Sequence, residues 1–163
     1  MDVSRNQVRI ALTIFGAVVL AMLLNRYIVT DKKRIERTMQ DMADAAAKRD
    51  VDLLFSHVSA DFGAEAMTRT HLRSLAEKLL SGDSPAKPRI QWMSVNVSGA
   101  QARVQLSVSD GATREYAGWS GATEWAAEFR KEADGAWRVT SLMPVRIFGR
   151  EISNWRDATR HFE

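Results

Sequence analysis

The sequence predicts an α+β domain, three amphipathic helices packed on an antiparallel β-sheet, with one membrane-spanning helix ahead of them. Three observations carry this. Residues 31–80 place apolar side chains three and four apart, residues 89–147 place them two apart, and Ile10 to Leu24 is an uncharged, almost wholly apolar run. Helices return a side chain to the same face about every 3.6 residues and strands every 2. Helices grouped in one half of the chain and strands in the other give a layout in which helices cover one face of a sheet.

The apolar run comes first. Its fifteen residues make about 22 Å of helix, against a hydrocarbon core of about 30 Å. Extension from Val8 to Val29 supplies the difference, with Arg9 and Arg26 reaching the two interfaces and Tyr27 at headgroup level. Residues 1–30 are therefore read as a signal anchor, with Ile10, Phe15, Leu20 and Leu24 in lipid and residues 8–29 in contact with it. Two alternatives stand beside it. One is a signal peptide cut after Val19-Leu20-Ala21; the other is a buried helix of the following domain. Arg26, Lys32, Lys33, Arg34 and Arg37 follow the span and only Arg5 and Arg9 precede it. That balance favours, narrowly, a cytoplasmic C-terminal domain. A short charged tail before an apolar run also suits an anchor that exports its C-terminus.

Residues 31–148 form the domain. Ile35, Met39, Met42 and Ala46 make one helical stripe, with Asp31 as a cap. Lys32-Lys33-Arg34 is read as a solvated first turn, or more sharply as contact with anionic headgroups. Asp50 caps a second, short helix that buries Leu53, Leu54 and Val58. A third starts at Thr68 or Thr70, buries Leu72, Leu75, Ala76, Leu79 and Leu80, and stops at Ser81-Gly82-Asp83-Ser84-Pro85.

Strands follow. Ala102, Val104, Leu106 and Val108 alternate with polar residues, and Ser98-Gly99 is the expected turn before them. That turn pairs Val95 with Ala102 and Met93 with Val104, and leaves Ile90 and Trp92 on the second face. Trp125, Ala127 and Phe129 alternate, as do Trp137, Val139 and Met143, with Asp134-Gly135 between them. A two-residue loop would set those apolar sets on opposite faces. A three-residue loop, Ala133 to Gly135, pairs Phe129 with Val139 and Trp125 with Met143, with Gly135 left-handed in a bulge. Asp110 to Gly121, holding Tyr116 and Trp119, is a loop or a strand continuation. In the C-terminal tail, residues 149–163, Ile152, Trp155, Thr159 and Phe162 share a helical face. The tail either packs on the domain or meets a membrane or partner.

The composition excludes several classes. Hydrophobic residues are 45% and charged residues 26% of the 163, which suits a folded chain. There is no cysteine, so no disulfide, thiolate metal site or lipoprotein anchor. Three of the 23 basic residues and one of the 20 acidic ones lie in residues 1–30. The balance of +1 beyond them gives no nucleic-acid footprint.

Ala47 to Leu54, then Ser59-Ala60-Asp61-Phe62, then Asp134 to Val139 resemble the nuclear transport factor 2-like superfamily. It includes the SnoaL-like proteins and ketosteroid isomerase, and shares the cystatin-like cone. The resemblance covers about residues 31–148 and implies a curved sheet whose helices enclose a pocket. Arg49 stands where the family commonly has glycine. The isomerase branch would place a tyrosine near Met42 and a general base near Ala66, and neither residue can do that chemistry. The layout also resembles, in architecture only, secretion-assembly proteins in which this fold follows one spanning helix.

No catalytic constellation emerges from the residues. His57, His71 and His161 are dispersed and lack metal-ligand spacing, and no phosphate loop or nucleophile elbow occurs. No catalytic residue, cofactor or metal is assigned. Glu128 and Arg130 are expected to pair across strands near Arg138 and Thr140. The functional expectation is a membrane-anchored, non-enzymatic module that binds a protein partner or a second copy through its sheet face. The alternative is a SnoaL-like binder or enzyme for a small apolar ligand, its pocket walled by Trp92, Trp125 and Phe129. A cone plugged by Met and Trp side chains, with an apolar patch on the open sheet face, favours the first; two close titratable groups in a pocket favour the second.

Overall fold

The computed structural model of the chain describes residues 30–65, 67–81, 88–109, 122–147 and 149–159. The apolar run Ile10 to Leu24, the segment Asp110 to Gly121 with Tyr116 and Trp119, and Ala66, His161 and Phe162 lie outside them. Among the described residues no helix is long and apolar enough to cross a membrane.

Helix α1, Asp31–Ala47, buries Ile35, Met39 and Ala45. Met42 packs against the same cluster. Ala45, one position before the expected Ala46, is the fully buried one, a small rotation of the stripe. The helix ends in a Schellman motif. Asp50 N–H donates to Ala45 O at 2.9 Å, Arg49 N–H donates to Ala46 O at 3.0 Å, and Arg49 takes φ +61. The same turn starts α2, Val51–Ser56, whose first turn is capped by Asp50 accepting from Leu53 N–H at 2.9 Å. Here the expectation fails in part. Leu53 is 43% exposed, whereas Phe55 and Val58 are buried. Six residues are too few for periodicity to select a face.

Two short strands not anticipated from sequence follow, β1 Gly63–Ala64 and β2 Met67–Thr68. They bury Ala64 and Met67. Thr68 then caps α3, Arg69–Leu80, by accepting from His71 N–H at 3.3 Å. Leu72, Leu75 and Ala76 pack partly against the core, but Leu79 is exposed. Arg69 and Arg73 hold α3 to α2, their guanidinium carbons 5.4 and 5.6 Å from the Phe55 ring centroid.

The sheet is an antiparallel meander in the order β3 (Arg89–Ser98), β4 (Gln101–Ser109), β5 (Ala122–Lys131), β6 (Trp137–Ile147), β7 (Arg150–Glu151). It is an α+β fold with a curved sheet, carrying four helices among the described residues. The first hairpin turns at Gly99-Ala100, one residue later than expected. Gly99 adopts φ +59, the sign a type II′ turn requires at its first central position. Val95 therefore faces Val104, not Ala102, and Met93 faces Leu106. A slip of two residues changes partners but keeps the faces.

The second hairpin has the three-residue loop. Gly135 N–H donates to Glu132 O and Glu132 N–H to Ala136 O, both at 2.9 Å, and Gly135 has φ +78. Phe129 faces Val139. A bulge at Thr140 then puts Pro144, not Met143, opposite Trp125, and a second at Val145 brings Ile147 inside. On the free side of β6, Ser59 N–H donates to Val139 O at 2.9 Å and Val139 N–H to His57 O at 3.0 Å, while β7 pairs Arg146 and Ile147. These two short pieces cover an edge that would otherwise be open to pairing. Past β7 the described residues pack on the domain: Ile152, Trp155 and Ala158, the last two in α4 (Trp155–Thr159), are core residues.

Candidate functional site

Alternation puts Ala102, Val104 and Leu106 of β4 and Trp125, Ala127 and Phe129 of β5 on the helix-covered face, in facing pairs. Among the described residues part of that face is filled, while Met93, Val95 and Trp125 are only partly buried. Phe129 is 1% exposed and lies in one apolar cluster with Ile35, Met39, Phe55, Val139 and Trp155. Trp125 and Trp155 sit with ring centroids 6.1 Å apart, tilted by 52°. The indole of Trp125 donates to Thr123 Oγ1, and that of Trp155 to Leu142 O, each at 2.8 Å. Both polar tips are thus satisfied inside apolar surroundings.

The three side chains expected to wall one pocket do not meet. Trp125 and Phe129 share the inner face. Trp92 pairs with Ser107 on the outer face and is 53% exposed. Its position follows from alternation with Met93, Val95 and Val97, which point inward. An extra residue at Gln91 lets Ile90 rejoin the inner face opposite Val108.

A concavity among the described residues opens on the other side of the sheet. A hollow of about 510 Å³ is lined by Asn96, Ser98, Gln101, Arg103, Glu128 and Arg130, with Ala102, Phe129 and Thr140 completing it. Arg103 and Glu128 are 3.6 Å apart and both well exposed, so their pairing is weak and their charges stay available. Thr140, at the bulge, donates its hydroxyl to Glu128 O at 3.2 Å. The lining offers amide, hydroxyl, guanidinium and carboxylate groups, suited to a polar partner surface. Apolar side chains exposed on the sheet among the described residues are Trp92 and Val145, too few for the expected patch.

Beside the hollow runs a polar network that sequence reasoning saw only in pieces. Ser59, fully buried, donates to Glu132 Oε1 at 2.7 Å and accepts from Asp61 N–H at 3.2 Å. Arg138 bonds Glu132 and makes a two-pronged contact with Asp134 at 3.1 and 2.7 Å. Arg130 donates to Asp61 Oδ2 at 2.7 Å. Arg130 and Arg138 are facing residues of β5 and β6, so each like charge is held by acids of its own. As expected, Arg130 faces Arg138 and Glu128 meets Thr140 through its carbonyl, while the Glu128 carboxylate pairs with Arg103 of β4. The hydrogen bond from Arg138, then that from Ala136 N–H, holds the Asp134 carboxyl below its ordinary value, and Asp134 in turn raises Arg138. The signals available were Ser59-Ala60-Asp61 and Asp134-Gly135; nothing local marks Glu132 as their link.

His57 supplies its carbonyl to Val139. Burial pushes its imidazole below the usual histidine value, with Asp41 opposing and Arg138 adding to the shift. His71 is exposed in the first turn of α3, its backbone N–H used in the cap. Among the described residues no three His, Cys, Asp or Glu side chains are grouped to hold a metal ion.

No family model matches the chain, and no curated protein matches it. Solved structures do. A nuclear transport factor 2-like (NTF2-like) protein of unknown function from Pseudomonas putida KT2440 superposes with a TM-score of 0.56 at 16% identity, over 66% of this chain and 80% of its own. A protein of unknown function with a cystatin-like fold from Nostoc punctiforme gives 0.56 at 17% identity, over 72% and 91%. An NTF2-like protein of unknown function from Shewanella oneidensis MR-1 gives 0.55 at 12%, over 71% and 98%. At these identities the likeness establishes the fold, which is NTF2-like, and leaves the function to the site.

Proposed function

We propose that the chain is a membrane-tethered, non-enzymatic binding module whose working surface is the outer face of its sheet. One observation carries this reading. The cone interior is occupied by Phe129, Trp155 and their neighbours, while the hollow lined by Gln101, Arg103, Glu128 and Arg130 faces outward. A polar lining with weakly engaged charges suits the rim chemistry of a protein–protein contact. The alternative, an apolar ligand within the cone, needs space beyond the part that Phe129 fills. The tether is supported by the uncharged run Ile10 to Leu24 and by the arginines at its ends. The excess of basic residues after that run supports a domain on the cytoplasmic side, which C-terminal reporter fusions active on one side only would decide.

The test is photo-crosslinking in native membranes. A crosslinking amino acid replaces Gln101 in one sample and Lys78 on α3 in another. Adducts to a protein partner are expected from Gln101 and not from Lys78. Adducts centred on Lys78, or none from either site, contradict the assignment of the face. Removal of residues 1–30 is expected to release the chain from the membrane pellet, and retention there contradicts the tether.

A further inference from the structure

The charges of α1 run against its own dipole. A helix favours acids in its first turn and bases in its last. On the side of α1 turned away from Ile35 and Met39, the order is Lys33, Arg34 and Arg37, then Asp41 and Asp44, all five exposed. No basic residue lies in the last turn, and the one acid in the first, Asp31, has its carboxylate bonded by Lys131 and by Trp137. Positive charge is thus concentrated at the end where the helix already carries a partial positive charge. The arrangement opposes helix stability and presents exposed positive charge at that end of the helix.

The chain itself indicates what that charge meets. The described residues begin at Thr30, and the span read from the sequence runs to Val29, four residues before Lys33. Four residues span at most about 14 Å of chain. Basic groups so close to a membrane span lie where anionic headgroups attract them, an attraction that decays over about 8–10 Å at physiological salt. We propose that the amino-terminal half of α1 rests on an anionic bilayer surface through Lys33, Arg34 and Arg37, with the acidic half directed away from it. This rests on the tether proposed above and adds lipid selectivity and orientation to it.

The chain has no cysteine, so Gln40→Cys gives a single labelling site one turn beyond Arg37. The labelled full chain is reconstituted in vesicles of phosphatidylcholine alone and of phosphatidylcholine with phosphatidylserine. Energy transfer to a headgroup acceptor is measured in each. Transfer is expected to be higher with phosphatidylserine, to lose that excess in about 1 M salt, and to lose it in K33Q/R34Q/R37Q. Equal transfer in the two lipids, or an excess that survives the triple substitution, overturns the proposal. Flotation separates the two readings. Binding to both vesicle types without the excess keeps the tether and rejects the basic patch. Binding only to phosphatidylserine vesicles, abolished in the triple variant, rejects the tether and keeps the patch. A thermal melt no lower than the parent's shows that the triple variant is folded.

Discussion

The first residue of α1 and the first residue of β6 are joined by one hydrogen bond: Trp137 Nε1 donates to Asp31 Oδ1 at 3.1 Å. Lys131 donates to both oxygens of the same carboxylate, at 3.1 and 3.3 Å, with its ammonium 5.9 Å from the Trp137 ring centroid. The start of the helical layer is thereby fastened to the second hairpin. The Trp137 hydrogen bond, and next that of Lys131, depress the Asp31 pKa below its ordinary value.

That contact has a pH signature. A carboxylate with a lowered folded-state pKa adds stability above its unfolded pKa, and the gain is lost as pH falls through the folded value. Asp31→Asn is expected to melt below the parent at neutral pH. The gap is expected to close once pH has dropped below the ordinary aspartate range. Thermal unfolding followed across acid pH checks this, and a gap unchanged at low pH contradicts it.

Arg49 occupies a left-handed position that glycine takes at no steric cost. The strain on a side chain there is about 1–2 kcal/mol, offset partly by the greater freedom of glycine in the unfolded chain. Arg49→Gly is expected to stabilise the domain by about 0.5–1 kcal/mol in urea titration. A loss of stability would show that the Arg49 side chain makes a compensating contact.

Phe129 and Trp92 were grouped by sequence and separated by structure, and truncation should tell them apart. Phe129→Ala empties a sealed site and is expected to cost about 3–5 kcal/mol. Trp92→Ala removes a ring that is half in solvent and is expected to change stability by about 0.5 kcal/mol or less. Chemical denaturation of both variants checks the pair. Similar costs would place Trp92 in the core.

Loss of Glu132 would leave the buried Ser59 hydroxyl without its acceptor and Arg138 with Asp134 as its remaining carboxylate partner, beside Ser56 O. Glu132→Ala is expected to destabilise by about 1–3 kcal/mol. Ser59→Ala in the Glu132→Ala background should then cost less than in the parent, because the two residues share one interaction. Strict additivity in that double-mutant cycle would contradict the coupling.

Much of this architecture was legible because it depends on local chemistry. The alternation of Ala102, Val104 and Leu106, the Asp50 cap and the left-handed Gly135 are each decided within a few residues. What escaped depends on distant partners or on irregularity. The bulges at Thr140 and Val145 shift the phase of β6 twice, so one alternation pattern cannot describe it. Ser59 and Glu132 meet across 73 positions, and no periodicity reports such a pair. The candidate surface was legible only as a polar outer face. Its hollow is produced by facing rows, Asn96 beside Arg103 and Arg103 beside Glu128, that exist only once the register is set.

The most direct test of the filled cone is a titration of the folded chain with a small apolar fluorophore such as 8-anilinonaphthalene-1-sulfonate, reading energy transfer from the tryptophans. With Phe129 and Trp155 occupying the interior, no saturable binding is expected. One-to-one saturable binding that is lost when Trp125 is replaced by alanine would contradict the account, because it would require an open pocket beneath the sheet.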